Sequence, residues 1–283
     1  MSVSPRPTMQ QEAPFETPAP SQVASPHAGS LALVDGWPIH LATLSDAVAA
    51  IADTAERRES AAVFTLNLDH LVKLRTSEPF RRAYARARYV TADGAPIVRL
   101  ARAQHSRIER TTGADLVLPL AEEAARRNLP IYLFGTNANV LAKAGRRLAM
   151  NTGDRLSIAG TEAPPMGFDP EGAAADAAID RIAASGARIC LVALGAPKQE
   201  LFAARAVARG VPVVFLGIGA ALDFLAGSQV RAPQFVQRMG CEWAWRLASS
   251  PRRLTLRYAQ CALLLADLAI RDPLRRKTQS AGA

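Results

Sequence analysis

The sequence predicts an α/β fold: a Rossmann-like, mostly parallel sheet with helices on both faces, followed by a basic helical appendage at the C-terminal end. Three observations predict it. Strand-like apolar runs alternate with segments of helical period across most of the chain, the pattern of parallel strands joined by helical crossovers. The 283 residues are 49% hydrophobic, enough for one large core. Positive charge gathers late: residues 231–277 hold ten Lys or Arg and three acids, a balance of +7 against +9 for the whole chain. The alternating segments differ in length, which sets the chain apart from a solenoid. The expected division is a disordered tail (1–30), the α/β domain (31–230), the appendage (231–277) and a short disordered tail (278–283).

The elements follow in order. "LALVDGWPIHLAT" reads as two short strands with a turn at Asp35–Gly36, and "TLSDAVAAIADTAERRE" as a helix capped by Thr43 or Ser45. "AAVFTLN" is extended, "LDHLVKLRTSEPFRRAYARA" helical and "RYVTAD" extended again. "GADLVLPLAEEAARRNL" is a helix closed by Asn128 before Pro130. "PIYLFG" is a strand and "NANVLAKAGRRLAMNTG" a helix. "LSIAGTEAPPMGF" is a strand running into a loop, "PEGAAADAAIDRIAASG" a helix and "ARICLVALG" a strand. "PKQELFAARAVARG" closes the series of helices and "VPVVFLGIG" the series of strands. Right-handed crossovers put every strand-to-helix loop on one edge of such a sheet, and ligands sit beyond the carboxyl ends of its strands.

Composition removes several function classes. Cys190, Cys241 and Cys261 stand far apart with no CxxC pair, which argues against a disulfide framework or a zinc site. His27, His40, His70 and His105 form no ligand-spaced cluster, so no metal and no other cofactor is expected. Residues 1–30 lack the apolar run of a signal peptide and are too rich in Pro, Ser, Ala and Gln to bury a core. The most apolar stretch, "CALLLADLAI" (261–270), is shorter than a membrane span and carries Asp267. In the appendage, arginines alternate with Phe235, Met239, Trp243, Trp245, Leu254 and Tyr258, a pattern of amphipathic helices with cationic edges.

Four strand-end loops are candidates for binding, each with a plainer reading beside it. In "TLNLDH", Thr65 and Asn67 point to one side of an extended chain and can bond a ligand together; alternatively Asn67 only caps the next helix. In "TADGAP", Asp93 ends a strand and faces the ligand edge, or is a turn aspartate before glycine. In "LGAPKQEL", Gly195, Lys198 and Gln199 stand at a helix start that suits a phosphate; the plainer reading is a well-started helix with Glu200 favouring its dipole. In "FLGIGAALDFLAG", Gly217 and Gly219 follow a buried strand but lack the third glycine of a dinucleotide fingerprint.

Taken in order, "TLNLDH", "ADGAPIV", "ERTTGADL", "YLFG", "LVALGAPKQE", "GIGAALDFLAG", "RAP" and "MGCEWAWRL" resemble the WecG/TagA/CpsF family of bacterial glycosyltransferases over roughly residues 32–258. The resemblance implies an inverting, metal-independent transfer of a sugar from a UDP-sugar of the ManNAc, ManNAcA or glucose type. The implied acceptor is a polyprenyl-diphosphate-linked glycan of surface polysaccharide biosynthesis. It implies Asp93 as general base with Thr65 beside it at the reaction centre. It places Asn67, Arg110, Gly135, Gln199 and Asp223 with the glycine loops in the substrate site. Arg231 and Arg253 of the appendage are the cations expected on the leaving diphosphate.

The implied location is the cytoplasm, at the inner leaflet of the cytoplasmic membrane. Residues 231–277 would hold the anionic surface there, and a homo-oligomer is compatible. Two other readings remain open. A nucleotide-dependent oxidoreductase requires an acid on a further strand about 20 positions past Gly219. A non-catalytic basic module binding nucleic acid requires a recognisable motif geometry, which the sequence does not display.

Overall fold

The structure, a computed structural model, describes residues 29–230, single positions at 232, 233, 236 and 245, and a helix over 251–280. Within that helix it describes side chains at 255–270. Apart from residues 29 and 30, the predicted N-terminal tail lies outside the described residues, as do Arg231, Trp243 and the side chain of Arg253.

Six strands form one parallel sheet: β3 (Ala61–Leu66), β4 (Ala87–Ala92), β5 (Ile131–Gly135), β6 (Ile158–Glu162), β7 (Ile189–Ala193) and β8 (Val214–Gly217), in the spatial order β4-β3-β8-β7-β5-β6. The hairpin β1 (Ala32–Val34) and β2 (Trp37–Ile39) turns at Asp35 and Gly36, both at positive φ. It continues onto the free edge of β4, where His40 N–H donates to the Val90 carbonyl at 2.9 Å and Val90 N–H donates to His40 Nδ1 at 3.1 Å. That contact occupies an edge which would otherwise offer unpaired backbone groups.

Helices cover both faces because the strands alternate apolar residues inward on each. Ala62, Phe64 and Leu66 of β3, Tyr132 and Phe134 of β5, Cys190 and Val192 of β7 and Phe215 of β8 share one core cluster. That cluster includes side chains from α2 (Leu68–Thr76), α3 (Glu78–Ala85), α4 (Ala95–Arg102), α7 (Ala173–Ala184) and α8 (Lys198–Ala208). The intervening residues, such as Val63, Leu133, Leu191 and Leu216, form the other cluster with α1 (Leu44–Glu56), α5 (Gly113–Arg126), α6 (Ala138–Asn151) and α9 (Ala221–Leu225).

The helix starts are set locally. Thr43 is the N-cap of α1, in a reciprocal box with Asp46, and Thr112 and Asp115 repeat the device at α5. The segment expected as one helix after β3 divides at Ser77, whose side chain accepts from Phe80 N–H while Pro79 occupies the first turn of α3. Two helices were not expected, α4 and the short α9.

The appendage contributes α10 (Pro251–Ser280), which runs past the expected boundary at 277. It docks on α2 through buried Cys261, Leu264 and Leu268. Arg257 pairs with Asp69, and Arg75 bridges Asp35 and Asp267 at 2.7 and 2.6 Å. Leu256, Leu263 and Ile270, seven residues apart, are 73%, 73% and 68% exposed. Among the described residues no helix is long and apolar enough to cross a membrane.

Candidate active site

The parallel strands end on one edge in the order β4, β3, β8, β7, β5. The helix after β3 packs on one face of the sheet and the helix after β8 on the other, so the two loops part and leave a crevice between them. Each sequence-predicted loop opens onto this edge.

Asp93 is the first residue beyond β4 and is half-buried. Its N–H donates to the Leu66 carbonyl at 2.8 Å, which ties it to the end of β3. Gly94 then turns the chain into α4 at φ 89°, a conformation that a side chain would strain. Across the gap Asn67 Nδ2 donates to Asp93 Oδ2 at 3.4 Å. The same Asn67 caps α2, its Oδ1 accepting from His70 N–H at 3.0 Å. Cap and contact with Asp93 therefore coexist: the cap fixes the amide, and the amide's other end meets the carboxylate. Thr65, buried, sits two residues earlier on the same extended chain, in register with Thr91. Thr111 N–H donates to the Ala92 carbonyl at 2.8 Å, which lays the segment carrying Arg110 beside the end of β4. Arg110, half-buried, faces Asp115 at 3.4 Å.

A second group assembles on β7 and β8. Gln199, in the first turn of α8 and 4% exposed, accepts from Gly219 N–H through Oε1 at 2.9 Å. Its Nε2 donates to Glu200 Oε1 at 2.7 Å. Gly217 lies flat on this amide, where a Cβ would come within 3.0 Å of Gln199 Nε2. From the other side, a Cβ on Gly113 would meet Ile218 Cα at 2.7 Å, so the start of α5 packs directly on the glycine loop. The loop is thus clamped between Gln199 and α5.

The remaining predicted residues are placed differently. Gly135 ends β5 pressed against β7, where a Cβ would lie 2.4 Å from the Ala193 carbonyl oxygen, so close strand packing accounts for it. Asp223 accepts from Thr136 Oγ1 at 3.3 Å, next to Gly135. Gly195, at positive φ, opens the loop before α8. Its carbonyl accepts from Gln199 N–H at 3.1 Å, which removes one of the N–H groups expected to face a phosphate. The Lys198 ammonium is bonded to the Phe168 carbonyl at 2.8 Å and not held over the loop. Arg231 and the Arg253 side chain lie outside the described residues.

Beneath the edge lies a buried polar cluster whose roles the sequence did not disclose. Glu200, read from the sequence as favouring the dipole at a helix start, is fully buried. His70 Nε2 lies 3.7 Å from its Oε1, and His70 Nδ1 bonds the Tyr84 hydroxyl at 2.6 Å. Burial pushes Glu200 up to about 7 and His70 down to about 3. The Tyr84 hydroxyl is raised by its burial and by the charges of Glu200, Asp93 and Asp69. Burial acts to raise Asp69 as well, but Arg257 and Lys73 outweigh it and hold the carboxylate below its ordinary range. The available signal was an amide and a carboxylate side by side before the apolar pair Leu201–Phe202.

The position about 20 residues past Gly219, where a dinucleotide site requires an acid on a further strand, lies outside the described residues, among which β8 is the last strand. Among the same residues, no group of three His, Cys, Asp or Glu is arranged to hold a metal ion. Residues 32–279 match the model of the glycosyl transferase WecG/TagA/CpsF family.

Proposed function

The chain belongs to the WecG/TagA/CpsF family of glycosyltransferases, and from that premise we propose that it moves a sugar from a UDP-sugar to a polyprenyl-diphosphate-linked acceptor, with inversion and without a metal ion. The observation that carries the reading is the contact of Asn67 with Asp93 at the carboxyl edge of the sheet, beside the glycine loop held by Gln199. In an inverting transfer the acceptor oxygen attacks the anomeric carbon on the face opposite UDP, the carbon–oxygen bond to UDP breaks, and the acceptor proton passes to a base. Asp93 takes that proton. Asn67 restricts the carboxylate by donating to one of its oxygens. Departing UDP leaves along the Gly217–Gly219 loop, where the absence of side chains lets it approach the backbone, and its charge is met by cations of the appendage.

Attachment to an anionic bilayer at the inner leaflet belongs to the same reading. Leu256, Leu263 and Ile270 turn away from the core in one row on α10, within a segment of net charge +7. Basic residues at such a surface contribute about 1 kcal/mol each, which puts the enzyme where a lipid-linked acceptor lies. Cosedimentation with anionic vesicles should be strong at low salt and fall at high salt. Binding that ignores both salt and deletion of 231–283 would remove this part of the reading.

The decisive experiment is a panel of UDP-sugars with a polyprenyl-diphosphate acceptor, run with and without EDTA, on wild type and Asp93→Asn. A positioned base is worth roughly 10²–10⁴ in rate, so Asp93→Asn should lose that factor in kcat while still binding the donor. Turnover within a few-fold of wild type would exclude Asp93 as the base.

A further inference from the structure

The hydrogen bonds beneath the glycine loop run in one direction. Gly219 N–H is a fixed donor, so the Gln199 side chain must present its oxygen to it and its Nε2 to Glu200. Glu200 Oε1 is therefore required as an acceptor, and either a carboxylate or a carboxyl group supplies one. Behind it, the Tyr84 hydroxyl donating to His70 Nδ1 fits a neutral imidazole, whose Nε2 lies 3.7 Å from the same oxygen, beyond hydrogen-bond reach. Glu200 Oε2 is buried with no hydrogen-bond partner among the described residues. An apolar side chain of similar length would fill this place without desolvating a carboxyl group. What it would lack is the acceptor for Gln199.

We infer that Glu200 is a positioning residue for the donor loop: it fixes the Gln199 amide, and through it the Gly217–Gly219 backbone, in the position against which the nucleotide diphosphate packs. This rests on the reading that the glycine loop faces the donor. Without Glu200, Gln199 keeps its place in α8, but its amide is free to turn and Gly219 N–H loses its partner. Glu200 touches no reacting atom and acts through Gln199 alone.

The test is a double-mutant cycle with UDP as the probe, titrated calorimetrically into the full-length chain. Glu200→Met should weaken UDP binding about tenfold, the effect expected from losing one hydrogen bond that orders a loop. Glu200→Gln, whose amide oxygen still accepts from Gln199, should restore most of the affinity. Gln199→Ala should weaken binding about as much, and adding Glu200→Met to it should change little. Glu200→Met at wild-type affinity beside a weakened Gln199→Ala would overturn the positioning role and leave the donor-site reading standing. Full additivity of the two substitutions would also overturn it, because an independent structural effect adds. A Gln199→Ala protein with unchanged UDP affinity would instead refute the donor-site reading. Hydrogen exchange supplies a ligand-free readout on the same proteins. The Gly219 amide should exchange faster in Glu200→Met while the β7 and β8 amides stay protected, and unchanged Gly219 protection would count against the proposal. Should Glu200→Met fail to fold, Glu200→Ala takes its place in both measurements.

Discussion

The two faces of the sheet are built from different materials. The face under α1, α5, α6 and α9 has a core of buried Ala, Val, Leu and Ile with no aromatic ring among its fully packed residues. The opposite face holds Phe64, Phe80, Tyr84, Tyr132, Phe134, Phe168, Phe202 and Phe215. Phe202 stacks on Phe134 with centroids 4.5 Å apart and meets Phe168 and Phe215 edge-on. Among the described residues, ionisable groups go deep only on this side, with His70, Asp69 and Glu200 set among α2, α3 and α8. Both faces support the same strand ends. The aliphatic face supplies support by volume alone. The aromatic face also holds the helices whose first turns carry Asn67 and Gln199, so its packing and the site's hydrogen bonds share residues.

That difference can be broken by truncating one residue on each side. Phe202→Ala should cost about 3–5 kcal/mol and Leu133→Ala about 2–5 kcal/mol, since each leaves a cavity in a fully buried place. The two should separate in function. Phe202 is on α8, three residues from Gln199, so its loss should weaken UDP binding by the folded protein. Leu133, a residue of β5, belongs to the aliphatic side, and its loss should leave that affinity unchanged. Denaturant melts give the first quantity and UDP titration the second. Equal damage to binding from both would mean that the two faces are not functionally distinct.

Much of this architecture was legible because strands covered on both faces read as unbroken apolar runs, which "AAVFTLN", "PIYLFG" and "ARICLVALG" do. The strand-end loops were legible for the same reason, since once the strands are found, topology places their ends together. The helix α4 was hidden because "DGAP" carries turn residues and Pro96 lies in the first turn, and only eight residues follow the glycine start. Ser77 and Pro79 did mark the break between α2 and α3, but the apolar period runs across it. Glu200 was illegible in a deeper sense. Hydropathy sends a carboxylate to the surface, and its burial is decided by α2 and α3, far upstream. Lys198 shows the converse: a lysine at a helix start reads as a phosphate ligand until a distant carbonyl, that of Phe168, is seen to hold it.

The buried pair of the aromatic face also makes a prediction about pH, smaller than the cavity effects and sharper. Glu200 is raised above its ordinary 4.5, so the folded state keeps a proton that the unfolded chain releases; on its own this erodes stability as pH climbs from about 4.5 to about 7. His70 is depressed below 6.5, so the unfolded chain takes up a proton that the folded state refuses; this erodes stability as pH falls from about 6.5 to about 3. Between about pH 4.5 and 6.5 the two slopes oppose each other and cancel. Asp69, held low, and Tyr84, held high, titrate outside that interval, and the other charges facing the pair are the cations Lys73 and Arg257. Glu200→Gln removes one slope and leaves the other. Its stability relative to wild type should therefore rise with pH across the interval by about 1.4 kcal/mol per unit, nearly 3 kcal/mol in all. Chemical denaturation at pH 4.5, 5.5 and 6.5 reads this difference directly. A difference that stays level with pH would mean that Glu200 is already ionised in the fold across this interval.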